Sequence, residues 1–173
     1  MSTRLDLSKL SLMDALDLAK LIEYEAYQRY RMFASQLGSS GGYDAGAFFA
    51  TMAENEAKHG RELEARRKAL FGDVPARVTL DDLFDVEAPE MGAPRRGMST
   101  AQAFEVGLAA EQKAHDFYDM ALPGITNPEV RDLFIELRDE EKEHMEMLRE
   151  AMAKLPASAS DETDFDVDDT PYL

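Results

Sequence analysis

The chain has 173 residues, 45% of them apolar and 31% charged, with no Cys and no Trp, a composition that fits one soluble domain able to bury a sizeable core. Asp and Glu number 35 against 19 Lys and Arg, a formal net charge of -16, which argues against nucleic acid or an anionic membrane as the main partner and favours cations. Without Cys there is no disulfide, thiolate zinc site, iron-sulfur cluster or thiol nucleophile, so any metal must rest on Glu, Asp and His.

The opening MSTRLDLSKL lacks the apolar run of a secretory signal, and nowhere do 18 apolar residues follow one another; a cytoplasmic protein is expected. The first predicted helix, about 11–37, opens at Ser11 with Asp14 three residues on, and Ser8 is a competing cap. GSSGG at 38–42 cannot continue a helix, and Tyr43 or Asp44 begins the second, about 44–70. Between Phe71 and Met98 fall Gly72, Pro75, Pro89, Gly92, Pro94 and Gly97, which mark a connection of about 28 residues with a short apolar piece from Leu80 to Val86. Ser99 and Thr100 open a third helix, about 100–122, stopped by Pro123 and Gly124. Asn127, Pro128 and Glu129 supply the cap, the N1 proline and the first-turn acid of a fourth, about 128–155.

Residues 157–173 are expected to form a solvated tail, because the stretch from Pro156 holds six acidic residues and no base. Residues 1–156 then form the folded domain. Two short turns force antiparallel neighbours, whereas a long link can span a helix of about 28 residues, about 42 Å, end to end. The layout is all-α, a four-helix bundle with one long crossover between the second and third helices, which it allows to run parallel.

The two halves repeat. EYEAYQRYRM at Glu23 to Met32 and EQKAHDFYDM at Glu111 to Met120 share Glu, Ala, Tyr and Met at matched offsets. Phe49, Met52, Glu56, His59 and Leu63 recur as Phe134, Leu137, Glu141, His144 and Leu148 at identical spacing. In each E-x-x-H unit the carboxylate and imidazole leave one helix face within a turn of each other, and that face is otherwise apolar. Glu23 and Glu111 lie on similar apolar stripes, with Leu16, Ala19, Ala26 and Tyr30 around the first and Phe104, Leu108, Ala114 and Tyr118 around the second.

Four carboxylates aimed at one core would cost several kcal/mol each if ionised and unpaired. Two divalent ions supply the missing positive charge, with Glu23 and Glu111 as terminal ligands, Glu56 and Glu141 bridging, and His59 and His144 one on each metal. Hard oxygen donors with one imidazole per metal favour iron or manganese, and zinc would also bind. The competing reading puts these Glu at the bundle rim, paired with Arg29, Lys58, Lys113 or Lys142. Tyr30 and Tyr118, two turns beyond their Glu, either bond a ligand carboxylate from the opposite helix or serve as core aromatics. His115 lies four residues after Glu111 and either approaches the site from outside the ligand set or faces solvent; Glu25, Glu54, Glu140, Glu143 and Glu146 read as surface charges.

The phrase E-x-x-A-x-x-x-Y-x-x-F-A at Glu23 to Ala34 and N-E-x-x-H at Asn55 to His59 resemble the ferritin-like superfamily, and within it the rubrerythrin family, over roughly residues 11–155. The resemblance implies a non-haem di-iron centre on Glu23, Glu56, His59, Glu111, Glu141 and His144, and reduction of hydrogen peroxide. Two departures follow. Full rubrerythrins carry a Cys-bound iron in a rubredoxin-like domain that feeds electrons to the bundle; this chain has no Cys, so an external electron donor is needed. Many also carry a carboxylate three residues after the third-helix ligand, where this chain has Ala114.

The expected function is therefore redox chemistry of two iron ions with hydrogen peroxide or oxygen, of peroxidase or ferroxidase type, in a homodimer. The alternatives are non-catalytic iron handling, an adaptor bundle recognised through the acidic tail, and a bundle oxygenase with a substrate pocket beside the metals.

Overall fold

The computed structural model describes residues 6–37, 39–40, 43–79 and 98–160. Four helices carry the fold: α1 (Leu12–Gln36), α2 (Ala45–Phe71), α3 (Thr100–Ala121) and α4 (Pro128–Met152). The long link between α2 and α3 lies mostly outside the described residues, as do the apolar piece from Leu80 and the tail beyond Ser160.

Each helix starts on a side chain that accepts an orphan backbone N–H. Ser11 accepts from the Asp14 amide at 3.1 Å, Asp44 from the Ala47 amide at 2.9 Å, and Asn127 from the Glu129 amide at 2.9 Å. Ser99 and Gln102 form a reciprocal capping box. Helix α2 stops at Gly72, whose φ of 61° places it where a side chain is disfavoured. After α1, β1 (Ser39–Ser40) pairs antiparallel with β2 (Tyr43–Asp44). Gly46 follows because a Cβ there would stand 2.3 Å from the Leu37 carbonyl oxygen.

Helices α2 and α3 run parallel. Phe49 meets Phe104 with ring centroids 4.6 Å apart, and seven residues on along both helices Glu56 feels the charge of Glu111. Helices α2 and α4 are antiparallel, since Arg66 bonds Glu136 at 3.2 Å while Glu56 lies 3.2 Å from His144.

The core is divided in two. One apolar block gathers Leu16 and Ile22 of α1, Leu63 of α2, Tyr118 of α3 and Phe134 and Leu137 of α4. The other gathers Ala26 and Phe33, Phe49 and Met52, Phe104 and Leu148. On every helix the change of block falls at the predicted carboxylate, so a polar layer crosses the bundle between two apolar ones.

Two features depart from the sequence expectation. Ala157–Ser160, assigned above to the tail, form a 3-10 turn whose Ala159 is buried, its amide donating to the Pro156 carbonyl at 2.9 Å. Its small side chain fits where a charged one would not. Asp17 and Arg67 form a buried ion pair, Nε to Oδ1 at 3.0 Å and Nη2 to Oδ2 at 3.1 Å, and the guanidinium also donates to the Gly72 and Val74 carbonyls. This fastens α1 to the end of α2.

Candidate metal centre

Each helix sends one carboxylate into the polar layer: Glu23 from α1, Glu56 from α2, Glu111 from α3 and Glu141 from α4, all at most 4% exposed. His144 follows Glu141 by one turn and is equally buried, while the His59 side chain is 16% exposed. His144 Nδ1 stands 3.2 Å from Glu56, 3.6 Å from Glu111 and 3.7 Å from Glu141. His59 Nδ1 stands 3.7 Å from Glu23. The two imidazoles stack with centroids 5.3 Å apart. All six predicted residues therefore meet in one layer.

Their ligand atoms fall into sets whose members lie within 4.8 Å of one another: Glu56, His59 and His144; Glu111, Glu141 and His144; and Glu23, His59 and Glu140. Glu56 thus reaches both imidazoles. Lys58, offered above as a partner for the rim reading, pairs with Glu62 at 3.7 Å instead.

Tyr30, fully buried, donates its hydroxyl to Glu111 across the bundle. Tyr118 is equally buried, its ring 5.1 Å from that of Phe134. His115 is not brought to the layer; its Nδ1 contacts Asp116, its chain neighbour, at 3.1 Å. A group missed by sequence reasoning is Glu140, read as a surface charge, whose carboxylate stands 3.8 Å from His59 Nδ1. The signal available was its place beside Glu141 in the chain, which says nothing of its reach towards α2.

The protonation pattern shows how strongly this layer resists its own negative charge. Burial, then the charges of Glu111 and Glu23, push Glu56 well above the ordinary carboxylate range. Burial and then Glu111 do the same to Glu141. Burial would also raise Glu111, but its bond with Glu141, the His144 imidazole and the Tyr30 hydroxyl together hold it at about 2. The Glu23 carboxylate raises His59 against the opposite effect of burial, and Glu140 adds to the rise.

A cation fits this set. Glu23 Oε2, Glu56 Oε1, His59 Nδ1 and His144 Nδ1 are buried without a hydrogen-bond partner, and each orphaned atom of this kind costs about 1–3 kcal/mol. Carboxylates plus one imidazole at each end suit iron, manganese or zinc, whose binding releases the protons the carboxyls hold.

The family model described as Rubrerythrin matches residues 14–152. Among solved structures, a conserved protein from Magnetospirillum magnetotacticum is 26% identical, with a TM-score of 0.68 over 85% of this chain and 97% of that one. A bacterioferritin-related dodecameric thioferritin from Bacteroides fragilis shares the fold at 23% identity, with a TM-score of 0.60 over 87% of this chain and 88% of that one. No curated protein is significantly similar in sequence.

Proposed function

The chain belongs to the rubrerythrin family, in the ferritin-like superfamily, and on that premise we propose that it is a di-iron oxidoreductase acting on hydrogen peroxide or oxygen. The observation that carries the reading is the buried layer of four carboxylates and two imidazoles with polar atoms left unpartnered. Glu23, Glu56 and His59 would hold one iron and Glu111, Glu141 and His144 the other, with Glu56 and Glu141 as bridges. When bound, two ferrous ions supply the two electrons that reduce the oxidant.

The protein's own residues supply geometry and insulation. Apolar blocks above and below the layer limit its contact with water, which strengthens each charge interaction within it. Tyr30 fixes the orientation of Glu111 by donating to it, and it stays a donor because burial, then Glu111, push its own pKa well above 10.0. Glu56 and Glu141 release their protons when metal binds.

Electrons come from an external donor, since the chain has no Cys to hold a second redox centre. Among the described residues no helix is long and apolar enough to cross a membrane. A homodimer is the proposed assembly: exposed Tyr24 and its neighbour Tyr27 line a groove of about 670 Å³ between α1 and α2, a surface that a second copy could cover.

The test is an anaerobic ferrous titration of metal-free protein, followed by oxidation with peroxide or oxygen. Two irons per chain and turnover with either oxidant are expected. Fewer than two irons, or two irons inert to both oxidants, overturns the reading.

A further inference from the structure

The internal repeat breaks at one position beside the metal layer. Superposing Glu56 on Glu141 brings Asn55 onto Glu140, so one half of the bundle carries a carboxylate where the other carries a neutral amide. The Glu140 carboxylate stands 3.8 Å from His59 Nδ1. Together with Glu23 and His59 it offers three ligand atoms within 4.8 Å of one another. Glu23 in that set is 3% exposed and its Oε2 has no hydrogen-bond partner, so a buried, unsatisfied oxygen faces the same point.

The two ends of the layer also differ in access. Glu140 and His59 side chains are 30% and 16% exposed, whereas His144, Glu111 and Glu141 are at most 6% exposed. A carboxylate at the more open end can reach an incoming hydrated ion before the buried oxygens do.

We propose that Glu140 is a seventh metal ligand, serving only the position held by Glu23 and His59, and that it makes the two metal positions unequal. The inference rests on the di-metal reading above and adds the asymmetry between its positions. Extra negative charge at one end raises affinity there for a divalent ion, and the repeat supplies no charged counterpart at the other end.

The test is an anaerobic cobalt(II) titration of metal-free wild type, Glu140→Gln, Glu140→Asp and Glu143→Gln, with far-UV circular dichroism to show that each folds. Wild type is expected to bind two ions per chain. Glu140→Gln should weaken one of them on the order of tenfold or more, the scale of loss seen when partners of a metal site are removed, and leave the other unchanged. Glu140→Asp should recover part of the loss, and Glu143→Gln, at an exposed position, should change neither ion. In a His59→Gln background the Glu140→Gln effect should disappear, and in a His144→Gln background it should persist.

Two ions in wild type with unaltered binding in Glu140→Gln overturns this inference alone. Equal weakening of both ions overturns it too, since the role is specific to one position. Fewer than two ions in wild type overturns the di-metal reading and this inference with it.

Discussion

Tyr30 of α1 donates its hydroxyl to the Glu111 carboxylate of α3, a residue 81 positions further along the chain and on the facing helix. The bond joins the apolar block containing Tyr30 to the polar layer. Tyr30→Phe keeps the ring contacts with Phe33 and Phe49 but removes the donor. Glu111 then loses one of the groups that hold its carboxyl at about 2. The expected cost is about 1–3 kcal/mol of stability in the metal-free protein, from the buried acceptor left short of a partner. Metal affinity should fall on the order of tenfold or more. Urea unfolding and metal titration measure the two; no change in either would show that Tyr30 is only a core aromatic.

The metal-free protein should lose stability as pH rises. Glu56 and Glu141 have folded-state pKa values raised above the ordinary 4.5, chiefly by burial, so the folded state binds more protons than the unfolded chain. Their contribution is complete below about 4.5 and is lost as pH climbs through the raised values. His59, raised above 6.5 chiefly by Glu23, has the same sign. Glu111, held at about 2, acts oppositely and loses its contribution only as pH falls from about 4.5 through about 2. Thermal melts between pH 5 and pH 9 should therefore show a falling Tm without metal. Saturating metal should raise Tm most at the alkaline end, where no proton competes for the carboxylates.

Helix starts and the carboxylate layer were legible from sequence because both depend on short spacing. Ser11, Ser99 and Asn127 read as caps from their immediate followers, and the matched frames around Glu56 and Glu141 put the E-x-x-H units on one inward face. What stayed hidden depends on how helices distant in sequence pack. Glu140 lies about 100° around the helix from Glu141 by the 3.6-residue period, so periodicity turns it outward, and only the nearness of α2 brings it to His59. Asp17 and Arg67 are 50 residues apart with no motif to link them. Ala159 looked like tail because the acids after it dominate the composition of that stretch.

Neutralising a bridging candidate should separate stability from metal binding. Glu141→Gln retains the shape of the side chain and removes a carboxyl that burial and Glu111 make costly to ionise. At pH 8 the metal-free variant is expected to be more stable than wild type by about 0.5–2 kcal/mol, the range common for a single stabilising substitution. Its stabilisation by saturating iron should shrink, and paired binding should be abolished, together with oxidation of ferrous iron. A variant lacking Glu56 or Glu141 that still oxidised ferrous iron at the wild-type rate would sink the bridging assignment.

The Asp17–Arg67 pair makes a prediction independent of metal. Both side chains are at most 6% exposed, and Arg67 also closes the turn after α2 through the Gly72 and Val74 carbonyls. Removing Asp17 alone leaves a buried guanidinium without its counter-charge, so Asp17→Ala should cost about 3–5 kcal/mol. Replacing both partners, as Asp17→Leu with Arg67→Met, removes the uncompensated charge and should recover most of that loss. Recovery should be incomplete, because the Gly72 and Val74 carbonyls lose their donor whichever apolar side chain replaces Arg67. The pair sits near the Leu16 and Leu18 block rather than in the carboxylate layer, so metal stoichiometry should stay at the wild-type value in both variants. Urea unfolding with a parallel metal titration distinguishes the outcomes: a single substitution that left stability intact would show that the pair is not needed to join α1 to α2, and a lost metal equivalent would show that it helps to shape the layer.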